Sequence, residues 1–267
     1  MALTVAVGSA LGAPAGREAA PRLNVLCTGG GPVTVVLFAG GGDALGTWAP
    51  LQRALSRGAR VCAYDRSGVG GSPVTKGPQT FAQMAGALHR ALTARGVGGP
   101  LILAGHSIGG AVAVAYAARY RADVRSLVLL DATPRAFVSQ ALRLIPASAT
   151  GAAAQTRAEL APILDWRANP EHGDGRRGFA QLRALRSLGS LRMLVMSHGD
   201  RFLAGLPVYG EALERLWQQG QRGWATLSTE ARLQVVAGSG HYVYRDRPEV
   251  VRRALEAEIR ALGAEDR

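Results

Sequence analysis

The chain has 267 residues, of which 48% are hydrophobic and 19% are charged, and its formal net charge is +12. This length and apolar content suit one large domain with a substantial core, and no internal repeat or long low-complexity linker divides the chain. The basic residues include one lysine, Lys76, and the arginines are spread along the chain rather than clustered with aromatic residues. Because the basic residues are spread along the chain, a specific nucleic-acid interface is not the favoured function. Nonspecific affinity for anionic surfaces is a weaker hypothesis.

The first 21 residues are expected to form an N-terminal extension or a signal-like segment. Residues 2–16 are mostly apolar and small and end near an Ala-x-Ala-like Ala13-Pro14-Ala15, although no basic residues precede them as in a secretory signal. The segment favours a secreted or cell-envelope location, with a cytoplasmic one as the alternative. No stretch reaches the roughly 20 continuous apolar residues of a membrane span, so we expect none.

Residues 22–267 alternate between strand-like and helix-like patterns. This alternation predicts an α/β domain with a doubly wound, mostly parallel sheet. The predicted strands are residues 23–28, 33–39, 59–64, 100–104, 126–131, 191–196 and 232–237, and the predicted helices are residues 47–57, 80–95, 107–120, 209–221 and 248–262.

A glycine loop and a G-x-S-x-G motif follow two of these strands. Gly40-Gly41-Gly42 comes after the second strand, where it can turn a backbone N–H toward a developing oxyanion. Gly105-His106-Ser107-Ile108-Gly109 lies between a strand and an Ala- and Val-rich helix, which is typical of a nucleophile elbow, with the N–H of Ile108 as the second oxyanion donor. The alternative is an ordinary glycine-rich turn whose serine caps the helix.

His241 lies on a glycine-flanked loop after the last predicted strand. There it can reach Ser107 as the general base that a serine nucleophile needs at neutral pH. His198 is a weaker competing base, because it ends a strand next to Asp200, and His106 lies inside the elbow. No cluster of Cys, His or carboxylate residues has metal-ligand spacing, so we expect no metal site and no cofactor.

Two aspartates compete for the acid that orients the histidine. Asp131 ends the fifth predicted strand, on the same sheet edge as Ser107, whereas Asp200 follows the sixth. A carboxylate at either place could hold the imidazole tautomer and stabilise the imidazolium. We favour Asp131 and keep Asp200 as the alternative.

Together these segments resemble the α/β-hydrolase superfamily, in particular small bacterial serine hydrolases of an esterase-like branch with a cap. The likeness extends from about Arg22 to Leu262. It is carried by residues 22–29, the glycine loop 40–42 with Trp48, and residues 64–72, 105–110 and 239–242.

The resemblance aligns Gly41 with the oxyanion donor position, but Ala39 stands where many relatives have histidine. In the familiar pattern the acid lies about three residues beyond a glycine, a position that Phe202 occupies here. A helical cap inserted after the sixth core strand is also expected, at about residues 134–189, because that stretch is far longer than an ordinary connection. In the superfamily's strand order Cys27 and Cys62 would lie on neighbouring strands, so a disulfide and two independent thiols are both open.

These observations predict a serine hydrolase, similar to a carboxylesterase, thioesterase or lactonase, that cleaves a small-molecule carboxylic ester or related acyl compound through an acyl-enzyme on Ser107. The alternative is a non-hydrolytic or ligand-binding member of the fold, haloperoxidase-like, lyase-like or receptor-like. The identity of the substrate and the oligomeric state are not readable from the sequence.

Overall fold

The computed structural model describes residues 22–265, and the expected extension at residues 1–21 lies outside the described residues. Within this range seven strands form one sheet in the order β1-β3-β2-β4-β5-β6-β7. The strands are β1 (Val25–Thr28), β2 (Thr34–Phe38), β3 (Arg60–Tyr64), β4 (Leu101–His106), β5 (Val124–Leu130), β6 (Arg192–His198) and β7 (Ala231–Val236).

Strand β1 runs antiparallel to β3, and every other neighbouring pair in the sheet is parallel. The carboxyl ends of β2 to β7 therefore meet at one edge, where ligands of open α/β sheets bind. This arrangement confirms the predicted doubly wound, mostly parallel sheet.

Helices cover both faces of the sheet. All five residues of β2 are buried, and they alternate between two hydrophobic cores: Val36 and Phe38 face one, Val35 and Leu37 the other. The helices are α1 (Ala49–Leu55), α2 (Phe81–Thr93), α3 (Ser107–Arg119), α4 (Phe137–Leu144), α5 (Gly151–Leu164), α6 (Gly175–Ala184), α7 (Gly210–Ala225), α8 (Val243–Asp246) and α9 (Pro248–Glu265).

Helices α2, α3 and α7 pack on the face that Phe38 joins, whereas α1 and α9 pack on the opposite face. Helix α2 begins with a capping box, in which the side chain of Thr80 accepts from the N–H of Gln83 and the Gln83 side chain accepts from the N–H of Thr80. None of the helices within residues 22–265 is both long and apolar enough to cross a membrane.

Three helices, α4, α5 and α6, form the long connection between β5 and β6. Phe179 of α6 packs edge-on against Phe81 of α2, with ring centroids 4.9 Å apart, so this end of the insertion is anchored on the main domain. Helix α5 contributes no fully buried residue. The insertion follows β5, the fifth of the seven strands described in residues 22–265. The resemblance placed it after the sixth core strand, because that numbering counts one strand more than the structure describes in this range.

A disulfide joins Cys27 on β1 to Cys62 on β3, which resolves the alternatives that the sequence left open. The two residues are direct partners in the antiparallel register. The bridge spans 35 residues of chain. A loop of that length restricts the unfolded chain enough to stabilise the fold by about 4 kcal/mol.

Candidate active site

The turn between β4 and α3 presents Ser107 at the carboxyl edge of the sheet. Strand β4 ends at His106 and α3 begins at Ser107, whose φ of 52° lies in the left-handed region. A Cβ on Gly109 would stand 2.2 Å from the carbonyl oxygen of Ala39, so only glycine lets the helix approach the loop after β2 this closely. The strained strand-to-helix turn expected for a nucleophile elbow is therefore present.

Side chains that follow β4, β5 and β7 form one hydrogen-bonded chain. The Oγ of Ser107 lies 3.1 Å from Nε2 of His241, and Nδ1 of the same ring lies 2.7 Å from Oδ2 of Asp131. Because a carboxylate only accepts, Nδ1 of His241 donates to Asp131, which leaves Nε2 to accept the Ser107 hydroxyl proton. This order of groups is the one that serine nucleophile chemistry requires.

The carboxylate of Asp131 is fully buried and accepts from three side chains. Besides His241, Nε1 of Trp217 lies 2.9 Å from Oδ1, and Nδ1 of His198 lies 2.9 Å from each carboxylate oxygen. Burial alone would raise the pKa of Asp131, but hydrogen bonds and charge from the two histidines outweigh burial and lower the pKa to about 2. The carboxylate is therefore ionised at neutral pH.

The alternative acid, Asp200, is exposed and lies away from the histidine ring. Its backbone N–H donates to the carbonyl oxygen of Ser239 at 2.9 Å, and within residues 22–265 the carboxylate bonded to His241 is that of Asp131. Phe202, at the position that the superfamily pattern reserves for the acid, stacks on the His241 ring with centroids 5.6 Å apart. The geometry thus joins Asp131, and not Asp200, to the histidine.

A second histidine, His198, lies behind Asp131. Its side chain has no exposed surface, and its Nε2 lies 2.9 Å from Oε1 of Glu214, so the ring is held between two carboxylates. Burial alone would lower the pKa of His198, but hydrogen bonds and charges from Asp131 and Glu214 outweigh burial and raise it above its ordinary value. His198 therefore contacts Asp131 and not Ser107. The sequence held no signal that Glu214 of α7 would be its partner.

Replacing Glu214 by Gln is expected to lower the free energy of unfolding by about 3 kcal/mol near pH 6 and by less at higher pH. The raised pKa of folded His198 contributes stability that is fully present below the unfolded value of about 6.5 and is lost as the pH rises through the folded value. Urea unfolding of the wild type and the variant from about pH 5.5 to pH 9 measures the difference.

Glu211→Gln is the matched control for this comparison, because Glu211 lies on the same helix and makes an exposed ion pair with Arg201. We expect it to cost less than about 1 kcal/mol at every pH. A loss in Glu214→Gln that stays constant across the pH range would contradict a raised pKa of His198 in the folded protein.

The glycine loop after β2 lies beside the start of α3. Gly40, Gly41 and Gly42 line the same cavity as Ser107, and a Cβ on Gly41 would stand 3.9 Å from Cγ1 of Ile108. The structure therefore brings the two residues predicted to donate to an oxyanion, Gly41 and Ile108, together around the serine. Their role as donors stays a prediction.

A cavity of about 550 Å³ opens over Ser107 and His241. Its apolar wall combines side chains of the main domain with side chains of α5 in the insertion. These side chains are Phe81, Met84, Ile108, Pro162 and Ile163.

Comparison with known proteins identifies the family of this fold. The family model described as the alpha/beta hydrolase fold matches residues 33–165. YqjL of Bacillus subtilis (strain 168) is 26% identical over 228 residues, which cover 85% of this chain and 83% of YqjL. RutD of Azorhizobium caulinodans, whose name assigns it carbamate hydrolysis, is 36% identical over 107 residues; this match spans 40% of RutD and 40% of this chain.

A solved structure agrees with these matches. The thermophilic esterase from Thermogutta terrifontis aligns with a TM-score of 0.61 at 23% identity, covering 90% of this chain and 94% of the esterase. At this level of identity the likeness concerns the fold. With the parallel sheet and the elbow at Ser107, the matches show that this chain belongs to the α/β-hydrolase superfamily.

Proposed function

We propose that the protein is a serine hydrolase that cleaves a carboxylic ester or a related acyl compound through an acyl-enzyme on Ser107. The observation that carries the proposal is the hydrogen-bonded chain from Ser107 through His241 to Asp131, at the floor of a partly apolar cavity. Each member has the chemistry that its position needs: a hydroxyl, an imidazole with a free nitrogen to accept its proton, and a buried, ionised carboxylate.

In acylation, the Oγ of Ser107 forms a bond to the substrate carbonyl carbon while its proton passes to Nε2 of His241. Asp131 stabilises the resulting imidazolium through Nδ1. The negative charge on the carbonyl oxygen is stabilised by the N–H groups of Gly41 and Ile108. Collapse of this intermediate breaks the bond to the leaving oxygen, which takes the proton from His241 and departs as an alcohol.

Deacylation repeats these steps with water as the nucleophile. His241 removes a proton from the water, whose oxygen bonds to the acyl carbon, and the same two N–H groups stabilise the second oxyanion. Breaking the bond to Oγ returns the proton to Ser107 and releases the carboxylic acid.

In this proposal the hydrolase domain spans residues 22–267. Its cap is the segment at about residues 134–189. Support comes from the cavity wall, to which Pro162 and Ile163 of the insertion contribute together with Met84 of the main domain. An apolar wall of this kind favours an acyl or alcohol group that is itself apolar.

The chain acts outside the reducing cytoplasm in this proposal. The disulfide between Cys27 and Cys62 supports an oxidising compartment, since cytosolic thiols are kept reduced. Thiol titration of the protein taken from culture medium, cell envelope and cytoplasm, denatured without a reducing agent, tests this point. We expect the protein in the envelope or the medium, with both cysteines blocked by the bridge, and recovery of reduced protein from the cytoplasm would contradict it.

Covalent labelling tests the proposed hydrolase. The wild type is incubated with a fluorophosphonate probe, the labelled peptide is sequenced, and turnover of p-nitrophenyl esters with short and medium acyl chains is measured. We expect label on Ser107 and faster turnover of the chains that fill the cavity. A folded wild type that takes up no label and turns over no ester would contradict the proposal and favour a ligand-binding member of the fold.

A further inference from the structure

We propose that Arg66 and Glu171 are positioning residues that fix the direction of the Gly41 N–H toward the substrate oxyanion. The inference rests on the proposed function, because it concerns how the oxyanion donor is held. Arg66 follows β3 in the main domain, whereas Glu171 lies in the insertion between β5 and β6, so the two residues join the oxyanion loop to the cap.

The side chain of Arg66 is 2% exposed, and its guanidinium binds both the loop and the cap. It donates to the carbonyl oxygen of Ala39 and, at 2.5 Å, to that of Gly40. Its Nε also donates to Oε2 of Glu171 at 2.6 Å, and its terminal nitrogen to Oε1 at 2.9 Å. The carbonyl oxygen of Gly40 therefore accepts from the guanidinium of Arg66 as well as from the backbone N–H of Asp43, which lies 3.2 Å away.

The carboxylate of Glu171 also binds the oxyanion loop. Its Oε1 accepts the backbone N–H of Gly42 at 2.7 Å. The cap backbone at Pro170 approaches Gly68 so closely that only glycine fits: a Cβ on Gly68, whose φ is 78°, would stand 2.6 Å from the carbonyl oxygen of Pro170. Glu171 therefore lies directly against the loop after β3, which carries Arg66 and Gly68.

These bonds determine the orientation of both peptide groups that flank Gly41. The carbonyl of Gly40 and the N–H of Gly41 belong to one trans peptide and point in opposite directions, so the bond from Arg66 to this carbonyl turns the N–H of Gly41 away from the guanidinium. The bond from Gly42 to Glu171 fixes the next peptide in the same way. A cation on the Gly40 carbonyl also polarises the peptide and strengthens its N–H as a donor.

The ion pair is charged in the folded protein. Burial alone would lower the pKa of Arg66 and raise that of Glu171, but each residue's charge and hydrogen bonds outweigh burial for its partner, so the pKa of Arg66 is raised and that of Glu171 is lowered. A buried pair of this kind is costly to desolvate and is compensated by its geometry. Here the hydrogen bonds of the pair reach the carbonyl oxygens of Ala39 and Gly40 and the N–H of Gly42 in the oxyanion loop.

The decisive variant is the double substitution Arg66→Met with Glu171→Leu. It replaces both charges by apolar side chains of similar size, so no unpaired charge is left buried and the fold is expected to persist. We expect kcat to fall about 10²-fold, which is the loss seen when one oxyanion donor is removed, while KM changes less than about threefold. Thermal unfolding of the variant checks that it is folded.

Two ketone inhibitors distinguish an effect on the orientation of the Gly41 N–H from an effect on the shape of the cavity. An alkyl trifluoromethyl ketone adds to Ser107 and carries an oxyanion, whereas the matching methyl ketone occupies the cavity as a ground-state mimic. We expect the double variant to lose about 10²-fold in affinity for the first and to bind the second as the wild type does. Equal losses for both ketones, or wild-type kcat in the folded double variant, would overturn the inference.

Two single variants complete the comparison. Arg66→Lys keeps the charge but lacks the planar fork that reaches Gly40 and Glu171 together, so we expect it to lose kcat as well. Glu256→Gln on α9, which breaks the more exposed pair with Arg252, is the control and should keep wild-type kcat. If the wild type itself takes no fluorophosphonate label, the proposed function fails; if it is labelled and the variants behave as the wild type, this inference alone fails.

Discussion

Alanine in place of Ser107 is expected to lower kcat for ester hydrolysis by about 10⁶-fold, as loss of the nucleophile does in characterised serine hydrolases. The substitution removes the hydroxyl that lies 3.1 Å from Nε2 of His241, and with it the atom that we propose forms the acyl bond. The elbow and the cavity are left intact, because alanine removes one oxygen atom and carries the same single Cβ as serine at this left-handed φ. Steady-state turnover of a p-nitrophenyl ester by the wild type and the variant measures the loss.

Ser187→Ala is the control for Ser107→Ala, because Ser187 is an exposed serine in the segment that leads into β6, at the opposite edge of the sheet. It should keep wild-type turnover. Ser107→Ala that is folded and retains more than about one hundredth of the wild-type kcat would contradict the assignment of Ser107 as the nucleophile.

Asparagine in place of Asp131 is expected to lower kcat by about 10⁴-fold. The amide has nearly the same shape, but it carries no charge to stabilise the imidazolium, and its NH₂ favours the wrong tautomer of His241. Asp131 also accepts from His198 and Trp217, so thermal unfolding must accompany the kinetics to separate lost chemistry from lost stability.

Asp200→Asn is the matched control, since it makes the same chemical change at the other candidate acid. Asp200 is exposed and has no hydrogen bond with His241 among the contacts within residues 22–265, so we expect wild-type kcat. A large loss in Asp200→Asn with little loss in folded Asp131→Asn would reverse the assignment of the acid.

Local patterns were sufficient for the fold and for the place of the elbow. Buried parallel strands are short apolar runs, and a strand, a tight glycine turn and a helix in succession can be recognised within about 15 residues. The seven predicted strands are therefore all present, with ends that shift by two residues or fewer. The roles of Ser107 and His241 remain predictions that the kinetics above address.

The acid was harder to choose, because two aspartates follow neighbouring strands and reach the same sheet edge. The backbone differs at the two positions: Asp131 adopts a φ of 47° directly after β5 and its carboxylate contacts His241, whereas Asp200 is exposed. No spacing in the sequence reports a left-handed residue that is not glycine.

Two of the buried pairs of charged groups could not be predicted from the sequence. Arg66 and Glu171 are 105 residues apart, and the partner lies in an insertion whose path follows from packing and not from periodicity. Glu214 is an acidic residue on an amphipathic helix, which is typical of a solvated face, and only the docking of α7 on β6 brings it to His198. Charges that pair across elements leave no local pattern.

Mass spectrometry of protein quenched in acid during ester turnover shows whether Ser107 carries an acyl group. The His241→Ala variant is included, because a reactive p-nitrophenyl ester can still acylate a serine slowly while hydrolysis of the acyl-enzyme is slower still. We predict that protein mass increases by one acyl group, on the peptide that contains Ser107, and that Ser107→Ala shows no increase. Acylation of another residue, or turnover with no acylated protein in either the wild type or His241→Ala, would contradict an acyl-enzyme on Ser107.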